Sequence, residues 1–255
     1  MKIYILTDIE GVSGVVEWEH GNPAGRYYER SKRLLTEEIN AAICGALEAG
    51  ADEIVVWDGH GPGGIDPELL HPAAKLLFGK GFPKGLGLDD SFDAMFVVGQ
   101  HAMNHTPCAN LCHTYSSKGI SRMLLNGQPI GELGMRIILA GYFGVPTVLV
   151  TGDDKTCAEG KAMIPDVEAV AVKTSTGRES AICLHPTKAR EAIRAGAVRA
   201  VQRLSTFKPH VMPSPYELVV EPYDLARCHP DDRSFERPLG QPTVERSDDF
   251  LAISR

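Results

Sequence analysis

The sequence predicts an α/β protein with a mostly parallel central sheet flanked by helices and a smaller C-terminal α/β part. Three observations carry this. Short apolar runs alternate with longer amphipathic segments, the pattern of βαβ units. The first run, Lys2–Thr7, is apolar on both faces, as a strand buried within a parallel sheet must be. Three runs, Lys2–Thr7, Glu53–Trp57 and Ala94–Val98, end in acid or imidazole: Asp8-Ile9-Glu10, Asp58-Gly59-His60 and Gly99-Gln100-His101. Parallel sheets bind ligands beyond the carboxyl ends of their strands, so the three ends point to one shared crevice.

In chain order, a long helix is expected from about Tyr27 to Ala49. Leu35, Ile39, Ile43, Ala46 and Leu47 form its buried stripe and Gly50 its stop. A Gly/Pro-rich connection, Gly59–Gly87, follows the second strand and holds a short strand near Ala74–Phe78. Met123–Leu125 and Gln128–Ile130 flank Asn126-Gly127, a dipeptide suited to a type I′ hairpin. Glu132 opens a helix through about Ala140, with Gly141 as its stop, and Thr147–Val150 is a further strand before Asp153-Asp154. A strand near Ala169–Val172, a helix near Thr187–Leu204 and a strand near Glu217–Val220 complete the pattern. Pro209–Pro215 reads as a turn or linker, and the tail from Arg227 is polar and weakly patterned. The expected division is a metal-binding catalytic part, 1–160, and a smaller C-terminal part, 161–255, with a boundary soft enough for one compact unit.

Composition narrows the function classes. The chain has 255 residues, 43% apolar and 23% charged, enough to bury a large core. A net charge of −7 argues against general binding to nucleic acid or anionic membranes. No apolar stretch approaches the ~20 residues of a membrane span. The first strand begins at once, without a leader pattern, and Cys44, Cys108, Cys112, Cys157, Cys183 and Cys228 are scattered. Reduced thiols and a cytoplasmic location are therefore expected, with Cys44 and Cys183 as small core residues.

Asp8 and Glu10 share one face of an extended chain. With His60 and His101 at equivalent strand ends and Glu132 nearby, three carboxylates and two imidazoles suit one or two divalent ions of the zinc type. Asp58 is a candidate hydrogen-bond partner for a ligating imidazole, and the Gly61–Gly64 run is expected to lend flexibility. Glu132 is equally readable as an acid favoured by a helix dipole, and Asp153-Asp154 read as helix caps. Pro107 disfavours a helical His101–His105 pair, and Cys108, Cys112 and His113 match a structural zinc site only weakly. By pattern alone His113 is a packed histidine.

Several segments resemble one family: the zinc D-aminopeptidases of bacterial dipeptide-permease operons. They are Thr7-Asp8-Ile9-Glu10-Gly11-Val12-Ser13-Gly14, Tyr28-Glu29-Arg30, Leu35-Thr36-Glu37-Glu38-Ile39-Asn40, Asp58-Gly59-His60 and Gly87-Leu88-Asp89-Asp90-Ser91-Phe92. Gly99-Gln100-His101-Ala102, Cys112-His113-Thr114, Ile130-Gly131-Glu132-Leu133-Gly134 and Val150-Thr151-Gly152-Asp153-Asp154 continue it in the family's order, to about residue 205. The resemblance implies two zinc ions per subunit, bridged by Asp8 and completed by Glu10, His60, His101 and Glu132. It also implies that His113 is catalytic, which reverses the pattern-only reading, and that the chain forms a ten-subunit particle with inward-facing sites. The Gly61–Gly64 run and a final segment, Ser247–Arg255, shorter than the family's last helix depart from the pattern. The expected activity is a zinc-dependent aminopeptidase acting on short peptides with an N-terminal D-residue. The alternatives are a two-metal phosphoesterase and a non-enzymatic peptide- or metal-binding module.

Overall fold

The computed structural model describes residues 1–82, 84–223 and 241–254. Cys228 and most of the polar tail from Arg227 lie outside them. β1 (Lys2–Thr7) sits at the centre. Its odd and even side chains enter different cores: Ile3 and Ile5 one, Tyr4 and Leu6 the other. A short helix, α1 (Trp18–Gly21), which the hydrophobic pattern does not announce, precedes α2 (Tyr28–Glu48). Leu35, Ile39, Ile43 and Ala46 of α2 are fully buried, and Leu47 packs partly against them. β2 (Glu53–Asp58) and β3 (Ala74–Leu77) run parallel to β1 on one side, and β4 (Ala94–Gln100) on the other.

β5 (Ile120–Leu125) and β6 (Gln128–Pro129) form the expected hairpin, with Asn126 and Gly127 at φ 50° and 77°. α3 (Glu132–Tyr142) runs past Gly141, so Gly141 is not its stop. The stop is Gly144 at φ 75°, where the Gly144 and Val145 N–H groups return to the carbonyls of Gly141 and Ala140. Gly141 is small for another reason: a Cβ there would lie 1.9 Å from the His210 carbonyl.

β7 (Thr147–Asp153) leads into α4 (Asp154–Met163), and the Asp153 carboxylate caps that helix by accepting from the Thr156 N–H. β8 (Glu168–Gly177) pairs parallel with β7. β9 (Ser180–Cys183), not anticipated, turns back antiparallel at the edge. The strand order is β3-β2-β1-β4-β7-β8-β9. α5 (Pro186–Gln202) joins α2 over one face, in a core with Ile193, Ala197 and Val201.

β10 (Tyr216–Pro222) and β11 (Thr243–Ser247) complete a second, antiparallel sheet, β11-β10-β5-β6, and α6 (Phe250–Ile253) follows. This sheet, α3 and α6 cover the other face through Met123, Leu133, Ile137, Leu218 and Phe250. Five of the six cysteines are free thiols. Cys112 and Cys157 are the buried ones, whereas Cys44 and Cys183 are only half-buried, against expectation. No helix among the described residues is long and apolar enough to cross a membrane.

Candidate metal centre

Asp8 follows the last residue of β1 and remains tied to β4, its N–H donating to the Val98 carbonyl at 2.9 Å. Gly99 makes this approach possible, since a Cβ there would stand 2.2 Å from the Asp8 carbonyl. The two Asp8 oxygens diverge. Oδ1 lies 3.4 Å from His60 Nδ1, on the β2 side, and Oδ2 lies 3.3 Å from His101 Nε2, on the β4 side. Glu10 Oε2 is 3.3 Å from the same His60 nitrogen, and Glu132 Oε1 is 3.3 Å from the same His101 nitrogen. All five sequence-predicted ligand residues therefore meet, as two groups that share Asp8.

Each imidazole is oriented through its other nitrogen. A carbonyl only accepts, so His60 Nε2–H donates to the Gly21 carbonyl (2.8 Å) and His101 Nδ1–H to the Ala102 carbonyl (2.9 Å). In the neutral tautomers the remaining nitrogens present lone pairs to the carboxylates. His101 Nε2 and Glu10 Oε2 are buried without a hydrogen-bond partner. Lone pair facing lone pair in a buried site is unfavourable unless a proton or a cation lies between. Two ligands on one tetrahedral zinc, with bonds of 2.0–2.1 Å, stand roughly 3.3–3.4 Å apart. The distances here match that spacing, and the donor set is the nitrogen and oxygen set zinc accepts, so the residues fit the ions.

The electrostatics agree. Burial opposes charge on His60, yet Glu10 and Asp8 push its pKa up to about 11. Burial also opposes charge on His101, but Glu132 and Asp8 hold it well above its ordinary value. Burial would raise the Asp8 carboxyl, but hydrogen bonding from His101 and His60 holds it well below the usual range. Glu132 is lowered against burial by the His101 charge. The pocket strongly favours positive charge, which divalent ions supply while leaving the imidazoles neutral.

His113 stands apart in chemistry though not in space. Its ring stacks on His101 with centroids 3.8 Å apart and planes at 15°. Nδ1–H donates to the Leu111 carbonyl at 2.9 Å, and Nε2 lies 3.7 Å from Glu132 Oε1. Burial, reinforced by the neighbouring His101 charge, lowers its pKa. That direction favours the neutral imidazole, with Nε2 turned toward Glu132. His101, His113 and Glu132 each offer an atom within 4.8 Å of the others, a group that could also hold an ion.

Two expectations are corrected. Asp58 does not touch an imidazole: its oxygens accept the N–H groups of Gly64 and Ile65, at 2.8 and 3.2 Å, and close the glycine-rich turn. The Gly61–Gly64 run is thus held in place, further fixed by the Tyr28 hydroxyl on the Gly63 carbonyl. His105 lies outside any helix, bonded to Ser121 Oγ, and Cys108 is exposed, so neither joins the cluster.

Sequence reasoning missed three contributors. Gln100 Nε2 donates to Asp8 Oδ2 at 2.9 Å; it was visible within Gly99-Gln100-His101 but carried no role. The Tyr115 N–H donates to Glu132 Oε1 at 2.6 Å. Trp18 packs its ring edge-on to His113 at 5.5 Å, from a helix too short to show in the pattern.

The class of protein follows: an α/β enzyme fold with two groups of residues that could hold metal ions at the carboxyl edge of its parallel sheet. The chain belongs to the D-aminopeptidase family of peptidases (M55), whose family model matches residues 1–230, somewhat beyond the stretch that the motifs cover. It is 35% identical over 224 residues to a D-aminopeptidase of Bacillus subtilis (strain 168), covering 87% of this chain and 81% of that one. A solved structure, the zinc-dependent D-aminopeptidase DppA from Bacillus subtilis, described as a self-compartmentalizing protease, superposes with a TM-score of 0.88. It is 32% identical, and the match covers 98% of this chain and 93% of that one.

Proposed function

We propose that this chain is a zinc-dependent aminopeptidase hydrolysing short peptides with an N-terminal D-residue, and that it works through two ions per subunit. Asp8, Glu10 and His60 would hold one ion, and Asp8, His101 and Glu132 the other. The observation that supports this most directly is the divergence of the Asp8 oxygens, each at ligand spacing from a different imidazole. Family membership supports the peptidase chemistry over a phosphoesterase or a binding module.

When bound, such ions polarise the scissile carbonyl and make water nucleophilic near neutral pH. The protein's own contributions are separate. The Gly21 and Ala102 carbonyls fix which nitrogen of His60 and His101 faces the cluster. Gln100 and the Ile9 N–H, at 2.9 and 2.8 Å, hold the two Asp8 oxygens apart. His113 carries the proton: Nε2 is unprotonated before reaction, takes a proton as water attacks, and returns it to the departing amine. Trp18 packs edge-on against the His113 ring.

Metal analysis of the purified protein, followed by an aminopeptidase assay on paired D- and L-substrates, tests this reading. Two ions per chain and preferential turnover of the D-peptide are expected; no bound metal, or turnover of phosphate esters alone, would overturn it. We further assign the chain to the cytoplasm and to a homo-oligomer, ten subunits by family resemblance. The self-compartmentalizing relative supports assembly, as do exposed Ile182 on the edge strand β9 and Leu184 just after it. Light scattering should give a mass several times 27.6 kDa, and a monomer would refute the assembly.

A further inference from the structure

Lys173 is a buried cation with no role in the mechanism above. It lies on β8, 2% exposed, directly beneath the loop that follows β1. Its ammonium has three N–H groups and uses all of them. They donate to the Glu10 carbonyl at 2.5 Å, the Val15 carbonyl at 2.5 Å and Asn110 Oδ1 at 2.7 Å. All three acceptors are neutral. Taking a charge out of water is unfavourable, and an apolar side chain would fill a purely structural position at lower cost. What the ammonium adds is three directed bonds to two different loops.

Those loops carry the chemistry. Asn110 donates through Nδ2 to the carbonyls of Val16 and Arg178, at 2.8 and 3.1 Å. The Leu111 N–H donates to the Arg178 carbonyl at 2.7 Å, and the Leu111 carbonyl in turn receives His113 Nδ1–H. The Asn110 N–H is held by Ser175 Oγ at 3.0 Å, two residues along β8 from Lys173. Lys173 thus joins the backbone of Glu10 to the segment whose carbonyl orients His113.

We propose that Lys173 is a positioning residue that sets Glu10 in one ion group and His113 beside the other by clamping both loops to β8. The inference rests on the two-ion reading. Lys173→Met keeps length and burial while removing the donors. The expected result is a zinc affinity weakened on the order of 10–100-fold at the Asp8–Glu10–His60 position, the loss typical when a group supporting a ligand is removed. The Asp8–His101–Glu132 position should be unaltered. Chelator competition measures the two affinities, and anomalous density from crystals at limiting zinc shows which position empties. At saturating zinc, kcat should fall with KM unchanged. Asn110→Ala removes the His113 arm and the bond to the Val16 carbonyl but keeps the Lys173 bonds to the Glu10 and Val15 carbonyls, and should lower kcat while leaving both zinc affinities intact. Equal weakening at both positions in step with a lower Tm, or no change in either affinity, would overturn the proposal. If Lys173→Met does not fold, Lys173→Gln, which keeps an amide donor, and Asn110→Ala decide by the same readouts. Wild-type protein holding fewer than two ions would instead overturn the site reading itself.

Discussion

Asp8→Ala is the most informative single change. Asp8 is the one ligand candidate common to both groups, with Oδ1 3.4 Å from His60 Nδ1 and Oδ2 3.3 Å from His101 Nε2. At an effective dielectric near 20, a pair of unit charges 4 Å apart attracts by about 4 kcal/mol, and each ion carries two charges. Water entering the vacated positions recovers much of that. Removing a supporting group alone costs on the order of 10–100-fold in affinity, so losing a direct ligand should cost at least about 100-fold at each position, near 3 kcal/mol per ion. The substitution also strips acceptors from Gln100 Nε2 and the Ile9 N–H, about 1–3 kcal/mol each if they stay buried. Asp8→Asn, which keeps the volume and one acceptor, separates that structural cost from the loss of charge. Zinc per chain is measured after dialysis against a chelator buffer, alongside kcat/KM. Both variants should lose both ions and activity together. Selective loss of one ion, or two ions with wild-type turnover, would refute the shared carboxylate.

Glu10→Ala and Glu132→Ala should each weaken one position only, on opposite sides of Asp8, which anomalous density at limiting zinc would distinguish. His113→Ala should keep both zinc ions and lose about 10²–10⁴-fold in kcat, the worth of a general base, with His113→Gln nearly as inactive. Loss of one ion in His113→Ala would instead make this residue a third ligand of the His101–Glu132 group. Glu38 supplies a pH test: burial raises its pKa from the ordinary 4.5 to about 8, against the pull of the Ser13 N–H at 3.0 Å. The folded state therefore holds this proton more tightly than the unfolded one, so the contribution is full below about 4.5 and is lost as pH rises to about 8. Glu38→Gln, which still accepts from Ser13, should have a Tm that falls less than wild type between these limits; parallel Tm–pH curves would refute the assignment.

Much of this was legible because parallel strands announce themselves twice, by apolar runs and by what stands at their ends. β1, β2 and β4 are buried on both faces, so their runs are nearly continuous, and Asp8, His60 and His101 mark where each leaves the core. The hairpin at Asn126-Gly127 was legible through backbone sterics. What escaped detection depended on long-range contacts. α1 is a single turn placed over the site, and its Gly21 carbonyl, which orients His60, has no side-chain signature. β9 is a short edge strand with Ile182 facing out, so it lacks the apolar alternation of a half-buried strand. Gly141 resembled a helix stop because its true constraint, the His210 carbonyl, lies 69 residues further on. Asp58 looked like a partner for the next imidazole because sequence proximity suggested it, yet the turn folds back so that Gly64 and Ile65 take both oxygens.

The strand order explains why the shared carboxylate is Asp8 and no other acid. In β3-β2-β1-β4-β7, β1 alone has a ligand-bearing strand on each side, His60 after β2 and His101 after β4. A side chain at its end reaches both, as Asp8 does. Glu10, two residues further along the loop, turns toward β2, and Glu132 arrives from the start of α3 on the side of β4. Each neighbour therefore receives one further acid of its own. The histidines are fixed in register by parallel pairing, which sets Thr7 beside Asp58 and Val98 across the three strands. A one-residue slip would turn the side chains at the shifted strand end to the other face of the sheet. The two-group geometry is thus a consequence of topology and register, with backbone carbonyls and amides supplying the final orientation.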